Sequence, residues 1–231
     1  MKVLTGTSGY SFKEWKGKFY PADLPADGML KFYASNFPTV EINNTFYRMP
    51  KESVVLEWAE QVPEGFRFAI KASQRITHIG RLKDVGSALE YFLRVASALG
   101  SKLGPTLFQL PPNFKKDPTR LDDFLKLLPR RWRAAFEFRH PTWHDEEVYA
   151  VLREAGAALC ISDQEDMETP FVATAPWGYL RLHKPAYDAA ARKTWAARIK
   201  EQTWGEAFVF FKHDDDTAGP ELAAEFAKAV G

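Results

Sequence analysis

Eight short runs with strand character recur along this chain, each separated from the next by a longer segment, and that alternation limits the fold more than any other feature. The runs fall at residues 2–7, 39–44, 66–71, 105–110, 134–139, 157–162, 178–183 and 207–212. Most of the segments between them carry helical periodicity. Leu30, Tyr33, Ala34 and Phe37 form one apolar stripe at i, i+3, i+4 and i+7. Similar stripes are Val54, Val55, Trp58 and Val62 after Pro50, then Leu89, Phe92, Leu93, Ala96 and Leu99 before Gly100. Asp117-Pro118 reads as an N-cap with proline at the first helical position, and a further helix is expected from about Asp145 to Gly156. Helices are also expected around residues 189–202 and from Gly219-Pro220 onward. The acidic, proline-containing stretch after the sixth strand has no such pattern.

Strict strand–helix alternation with right-handed crossovers gives parallel strands, and eight of them close into a barrel. The expected fold is therefore a single TIM-type (β/α)8 barrel with a weak or missing sixth helix, and residues 1–231 read as one domain without a linker or low-complexity break. A doubly wound open sheet is the alternative. It is disfavoured because Gly6-Thr7-Ser8-Gly9 has no third glycine and opens no helix.

Parallel strands covered on both faces normally read as near-continuous apolar runs. These do not. Val40 and Ile42 alternate with Glu41 and Asn43; Phe68 and Ile70 with Arg67, Ala69 and Lys71; Phe136 and Phe138 with Glu137 and Arg139; Leu180 and Leu182 with Tyr179, Arg181 and His183. Gln109 stands between Phe108 and Leu110. The apolar set is expected to face the helices and the polar set the barrel lumen. The polar members gather at the C-terminal ends of the strands, which is where this fold carries its active site. Carboxylates Glu41, Glu137 and Asp163 would then meet cations Lys71, Arg139 and Arg181, with His183 among them. Such groups read either as an ion network that fills the lumen or as a site. Mutual pairing offsets their desolvation in both cases.

A net charge of +1 gives no global pull toward nucleic acid or anionic membrane. No apolar run approaches the ~20 residues of a membrane helix. The lone Cys160, inside an apolar run, reads as buried filler and excludes an intrachain disulfide. The chain opens directly on a strand, so a cytoplasmic protein is expected.

Several blocks of the sequence carry a resemblance: Gly6-Thr7-Ser8-Gly9-Tyr10, Phe19-Tyr20-Pro21, Val40-Glu41-Ile42-Asn43-Asn44-Thr45-Phe46-Tyr47-Arg48, Phe108-Gln109-Leu110-Pro111-Pro112, Phe136-Glu137-Phe138-Arg139-His140 and Tyr179-Leu180-Arg181-Leu182-His183. In content and order they resemble the signature blocks of the YecE-like family, proteins built on a domain of unknown function. The resemblance implies a TIM barrel with a polar pocket at the strand C-termini and no established activity. A likeness of such barrels to endonuclease IV implies a DNA-related role as one option. Two departures fall at the rim of the expected site: Lys184 where many members have glycine, and Lys212-His213 where many carry an Asn pair.

Three functions are weighed. The first is an enzyme, of the hydrolase or isomerase/lyase kind, acting on a phosphorylated or anionic small molecule held near Arg181, His183, Lys184, Lys212 and His213. Glu137 would serve as base and His183 as acid, with Glu41 and Asp163 beside them. Asn43, Tyr47, Lys71, Gln109, Arg139, Trp143, Arg181 and Lys212 would bind the substrate. The second is a nucleic-acid-processing barrel. Trp15, Tyr47 and Trp143 would stack bases, and Lys13, Lys16, Lys18, Arg48, Arg75 and Arg81 would meet phosphates. Its metal-dependent form needs His140, Asp163, His183 and His213 to converge. The third is a barrel that only sequesters a ligand. No metal ligand set and no cofactor is specified by the sequence, His140 and His144 also read as plain loop residues, and His78 lies at the rim or the surface.

Overall fold

The computed structural model describes residues 1–164, 167–212 and 218–231. Strands β1 (Lys2–Thr7), β2 (Thr39–Ile42), β3 (Arg67–Lys71), β4 (Leu103–Gln109), β5 (Ala134–Glu137), β6 (Ala158–Gln164), β7 (Trp177–Leu182) and β8 (Glu206–Phe211) pair in parallel. From β2 to β6 each strand lies beside its successor; β6 pairs with β7, β7 with β8 and β8 with β1. Helices α1 (Met29–Asn36), α2 (Glu52–Glu60), α3 (Gly86–Ser97), α4 (Pro118–Leu125) and α5 (Glu146–Ala155) follow β1 to β5, while α6 (Ala189–Lys200) and α7 (Ala218–Val230) follow β7 and β8. Among the described residues no helix follows β6. The chain instead runs through a two-residue strand, Met167–Glu168, antiparallel to the end of β6. The eight-stranded barrel with its missing sixth helix is as the alternation predicts.

Closure between β1 and β2 uses different chemistry from the other seams. One parallel bridge joins Ser8 to Glu41, and the Gly9 N–H donates to the Glu41 carbonyl at 2.8 Å. Below that bridge the Tyr33 hydroxyl, from α1, replaces the missing ladder. It accepts from the Thr7 N–H at 2.8 Å and donates to the Thr39 carbonyl at 3.1 Å. Buried backbone groups must find such partners. Gly6 permits the approach, since a Cβ there would lie 2.1 Å from the Thr39 oxygen.

The core divides as the strand phases require. Val40, Ile42, Phe68, Ile70, Phe108, Phe136, Leu180, Val209 and Phe211 pack outward against helix residues such as Tyr33, Phe92, Leu121 and Phe226. A separate inner cluster of Leu4, Ala69, Leu107, Ala135, Cys160, Tyr179, Phe208 and Phe210 fills the lower lumen. Cys160 is a buried free thiol there, and burial holds its pKa well above the ordinary value. The polar residues sit one layer higher.

Several strands end sooner than the sequence predicts. Asn43 is already in the right-handed helical region and leads into a turn at Asn44–Phe46, so β2 stops at Ile42. Arg139, His183 and Lys212 likewise lie just past β5, β7 and β8. They are loop residues held by the strand ends. Among the described residues no helix is long and apolar enough to cross a membrane.

Candidate functional site

One guanidinium organises the upper lumen. Arg181, on β7, donates from Nη2 and Nε to Glu41 Oε1 at 2.9 and 3.2 Å, and from Nη1 to Glu137 Oε2 at 2.6 Å. All three side chains are sealed from solvent, at 1%, 0% and 1% exposure. Every carboxylate oxygen has a partner. Glu41 Oε1 also accepts from Ser8 Oγ at 2.7 Å and Asn43 Nδ2 at 3.1 Å, and its Oε2 accepts from the Tyr179 hydroxyl at 2.7 Å. Glu137 Oε1 accepts from Gln109 Nε2 at 2.8 Å. Burial alone would raise both carboxyl pKa values, but the Arg181 charge and these donors outweigh it. Glu41 is held below its usual range, and Glu137 is lowered to about 2. Burial opposes the charge on Arg181, yet the two carboxylates raise its pKa well above normal.

Gln109 extends the network by one step. With its amide nitrogen committed to Glu137, its Oε1 accepts from Lys71 Nζ at 2.8 Å. Lys71 also lies over the Phe46 ring, 4.4 Å from its centroid, and makes no ion pair with a carboxylate among the described residues. Burial and then the Arg181 field lower its pKa to about 8, against the pull of Glu137 and Glu41. His183 is pushed down to about 4 by burial and by Arg181, so its ring is neutral at pH 7. Its Nδ1 lies 3.2 Å from Gln164 Nε2, while Nε2 is buried without a hydrogen-bond partner.

A cavity of about 570 Å³ opens above this layer, at the C-terminal ends of the strands. Asn43, Tyr47, Lys71, Arg181 and Lys212 line it together with residues 8–12 of the first loop. Tyr47 stands at 74% exposure on its rim. A larger space, about 810 Å³, lies at the opposite end of β1 between α1 and α7 and contains none of the charged layer.

The geometry corrects part of the sequence reading. Glu137, Arg139, Asp163 and His183 do not line the cavity with Arg181. Asp163 is fully buried, but its Oδ1 accepts from the His183 backbone N–H at 2.7 Å and its Oδ2 from the Tyr187 hydroxyl at 2.5 Å. Its carboxylate therefore holds the loop after β7. Trp143 is buried, stacked on Phe138 at 4.7 Å with planes 4° apart, and its indole N–H donates to the Phe114 carbonyl. It packs the barrel exterior and cannot touch a ligand in this cavity. Arg139 is half-buried at the end of β5, where its charge lowers the His78 pKa after burial and Lys71 have done so.

Two of the three residues expected to stack bases, Trp15 and Trp143, are core residues, while Tyr47 stays exposed on the cavity rim. His140 caps the turn Pro141–Trp143 through Thr142, and His78 packs edge-on against Phe46. His144 lies half-buried in the loop before α5, its pKa lowered by burial. His213 and Asp214 to Asp216 lie outside the described residues. Among the described residues no three His, Cys, Asp or Glu side chains gather as a metal site requires. Two participants were not singled out from the sequence, Ser8 and Tyr179. The signal for both was present: the first βα loop abuts strand two in a barrel, and Tyr179 shares the phase of Arg181.

Residues 4–231 match the family model described as "Protein of unknown function DUF72". The chain is 37% identical to the UPF0759 protein YecE of Escherichia coli K12 over 113 residues, 48% of this chain and 42% of that protein. It is 30% identical to YunF of Bacillus subtilis 168 over 184 residues, 74% of this chain and 64% of that protein. Each match thus spans less than two thirds of the relative's own length. A DUF72 family protein of Thermotoga maritima superposes with a TM-score of 0.87 at 28% identity, covering 99% and 98% of the two chains. A D-psicose 3-epimerase of Clostridium cellulolyticum, solved with D-tagatose, superposes at 0.58 with 11% identity over 100% and 93%, a likeness in fold alone.

Proposed function

This chain belongs to the DUF72 family, and we propose that it is an enzyme that binds a phosphorylated or otherwise anionic small molecule at the C-terminal mouth of the barrel and acts on it by proton transfer. One observation carries the reading: among the described residues the cavity is lined by Lys71, Arg181 and Lys212 and by no Asp or Glu. The nearest carboxylates, Glu41 and Glu137, lie beneath it and are both taken by Arg181. Lys71 and Lys212 are therefore the cations that an entering ligand would meet. Phosphate sites in this fold commonly lie at the seventh and eighth strands, and Arg181 and Lys212 come from those strands.

The expected roles of Glu137 as base and His183 as acid fit this geometry poorly. A carboxyl with a pKa of about 2 holds a proton too weakly, and an imidazole at about 4 has none to give at neutral pH. Lys71, at about 8, is the cavity group best matched to proton transfer near pH 7.

The test is thermal denaturation of the protein with inorganic phosphate, pyrophosphate and sugar phosphates, beside the corresponding neutral sugars. Anions should raise the melting temperature because they bind the native state. Lys212→Gln should weaken that rise. Equal shifts from neutral sugars, or no shift from any anion at millimolar concentration, would overturn the reading.

A further inference from the structure

Resting on that anionic-ligand reading, we propose that Lys71 is a nucleophile whose amine condenses with the carbonyl carbon of an aldehyde- or ketone-bearing anionic substrate. Lys71 is the last residue of β3, faces the lumen and lines the cavity. Its Nζ is fixed by one neutral acceptor, Gln109 Oε1, and by the face of Phe46. An ammonium paired with a carboxylate stays protonated and inert. Here both nearby carboxylates belong to Arg181, and Arg181 itself disfavours the ammonium charge. Desolvation beside a second cation is a recognised way to free a lysine amine.

Gln109 also sets the direction of attack. Its Nε2 donates to Glu137, so its carbonyl is obliged to face Lys71. A neutral amine donates one N–H to that carbonyl and keeps a lone pair for the cavity. In the step itself the lone pair forms the N–C bond and the carbonyl π electrons move to oxygen. That oxygen takes up the proton that nitrogen loses, giving a carbinolamine. The hydroxyl then leaves as water on a proton taken from solvent, which forms the C=N bond as a protonated imine, and no oxidant or reductant is needed. The protonated imine draws electrons from the adjacent carbon, so that a C–H or C–C bond there can break. Water later restores the amine and releases the product carbonyl.

The lowered pKa supports the geometry. At pH 7 a group at about 8 has a neutral fraction roughly 300-fold larger than a lysine at its ordinary value. The experiment is borohydride trapping on the full chain with D-glyceraldehyde and with D-glyceraldehyde 3-phosphate as probes, and adducts located by peptide mass mapping. Expected is labelling at Lys71 at least tenfold faster than at any other lysine near pH 7, with half-maximal rate near pH 8. The phosphorylated probe should be the faster of the two. Lys71→Arg should remove that adduct.

Phosphate stabilisation without preferential labelling of Lys71 overturns the nucleophile and leaves the anion site standing. Preferential labelling by the neutral probe, with no phosphate stabilisation and no advantage for the phosphorylated probe, supports the nucleophile and removes the anion reading. Uniform labelling of all lysines together with no phosphate stabilisation ends both. The wild-type labelling pattern decides even if the variant fails to fold.

Discussion

Arg181 and Glu41 lie 140 residues apart in sequence and meet across the lumen through two hydrogen bonds to a single carboxylate oxygen. The third donor direction of the same guanidinium takes Glu137. Two carboxylates on one cation are tolerable in a dry lumen only because Ser8, Asn43, Tyr179 and Gln109 satisfy the remaining acceptor sites. The layer thus ties β2, β5 and β7 together beneath the cavity.

Arg181→Met keeps the apolar stem and leaves Glu41 and Glu137 buried without their counter-ion. Removal of one partner from a buried pair costs ~3–5 kcal/mol. Urea denaturation at pH 7 should show a loss of that size, part of it recovered in the double variant Arg181→Met, Glu137→Gln. A loss within experimental error would mean that the triad contributes little to stability.

Stability should fall from the acid side in two stages. His183 titrates at about 4 in the folded chain against 6.5 unfolded. Between those values the unfolded chain binds more protons, so stability drops as pH falls from 6.5 to 4. Glu137, at about 2 against 4.5, adds a second loss as pH falls below 4.5. Denaturation curves across pH 7 to 3 should show both stages in the wild type, and His183→Gln should shrink the upper one, to which the lowered His78 and His144 also contribute.

Lys71 works in the alkaline window. Its folded value of about 8 lies below the unfolded 10.5, so the unfolded chain holds more protons between them. Stability therefore gains a contribution as pH rises from 8 toward 10.5. The difference between wild type and Lys71→Met, measured by denaturation from pH 7.5 to 10, isolates that contribution because tyrosine titration is common to both. A difference that does not change with pH would contradict the lowered value.

The β1–β2 seam can be tested at α1. Tyr33→Phe removes the acceptor for the Thr7 N–H and the donor to the Thr39 carbonyl. Two backbone groups left unpaired at about 1–3 kcal/mol each predict a loss of roughly 2–6 kcal/mol. Amide hydrogen exchange should place the new mobility at residues 5–9 and 39–42. Gly6→Ala should be worse, because its Cβ meets the Thr39 backbone rather than a side chain that can move.

The sequence by itself determined the elements and their phases. Alternation at Val40-Glu41-Ile42 or Leu180-Arg181-Leu182 assigns each residue to helix side or lumen side, because the side-chain period of a strand is two whatever surrounds it. The missing helix after β6 was legible for the same local reason, as were the N-cap at Asp117 and the helix start near Asp145. Tertiary structure alone decided the partners. Phase says that Glu41, Glu137, Asp163 and Arg181 are available to one another, but not which oxygen each donor reaches. Arg181 reaches both glutamates, whereas the Asp163 carboxylate turns to a backbone N–H and the Tyr187 hydroxyl. Trp143 likewise has the composition of a ligand-stacking residue and becomes core, because Phe138 and the Phe114 carbonyl satisfy both its face and its N–H. Such choices depend on which side chains of suitable length converge across the barrel, and that convergence exists only once all eight strands have closed.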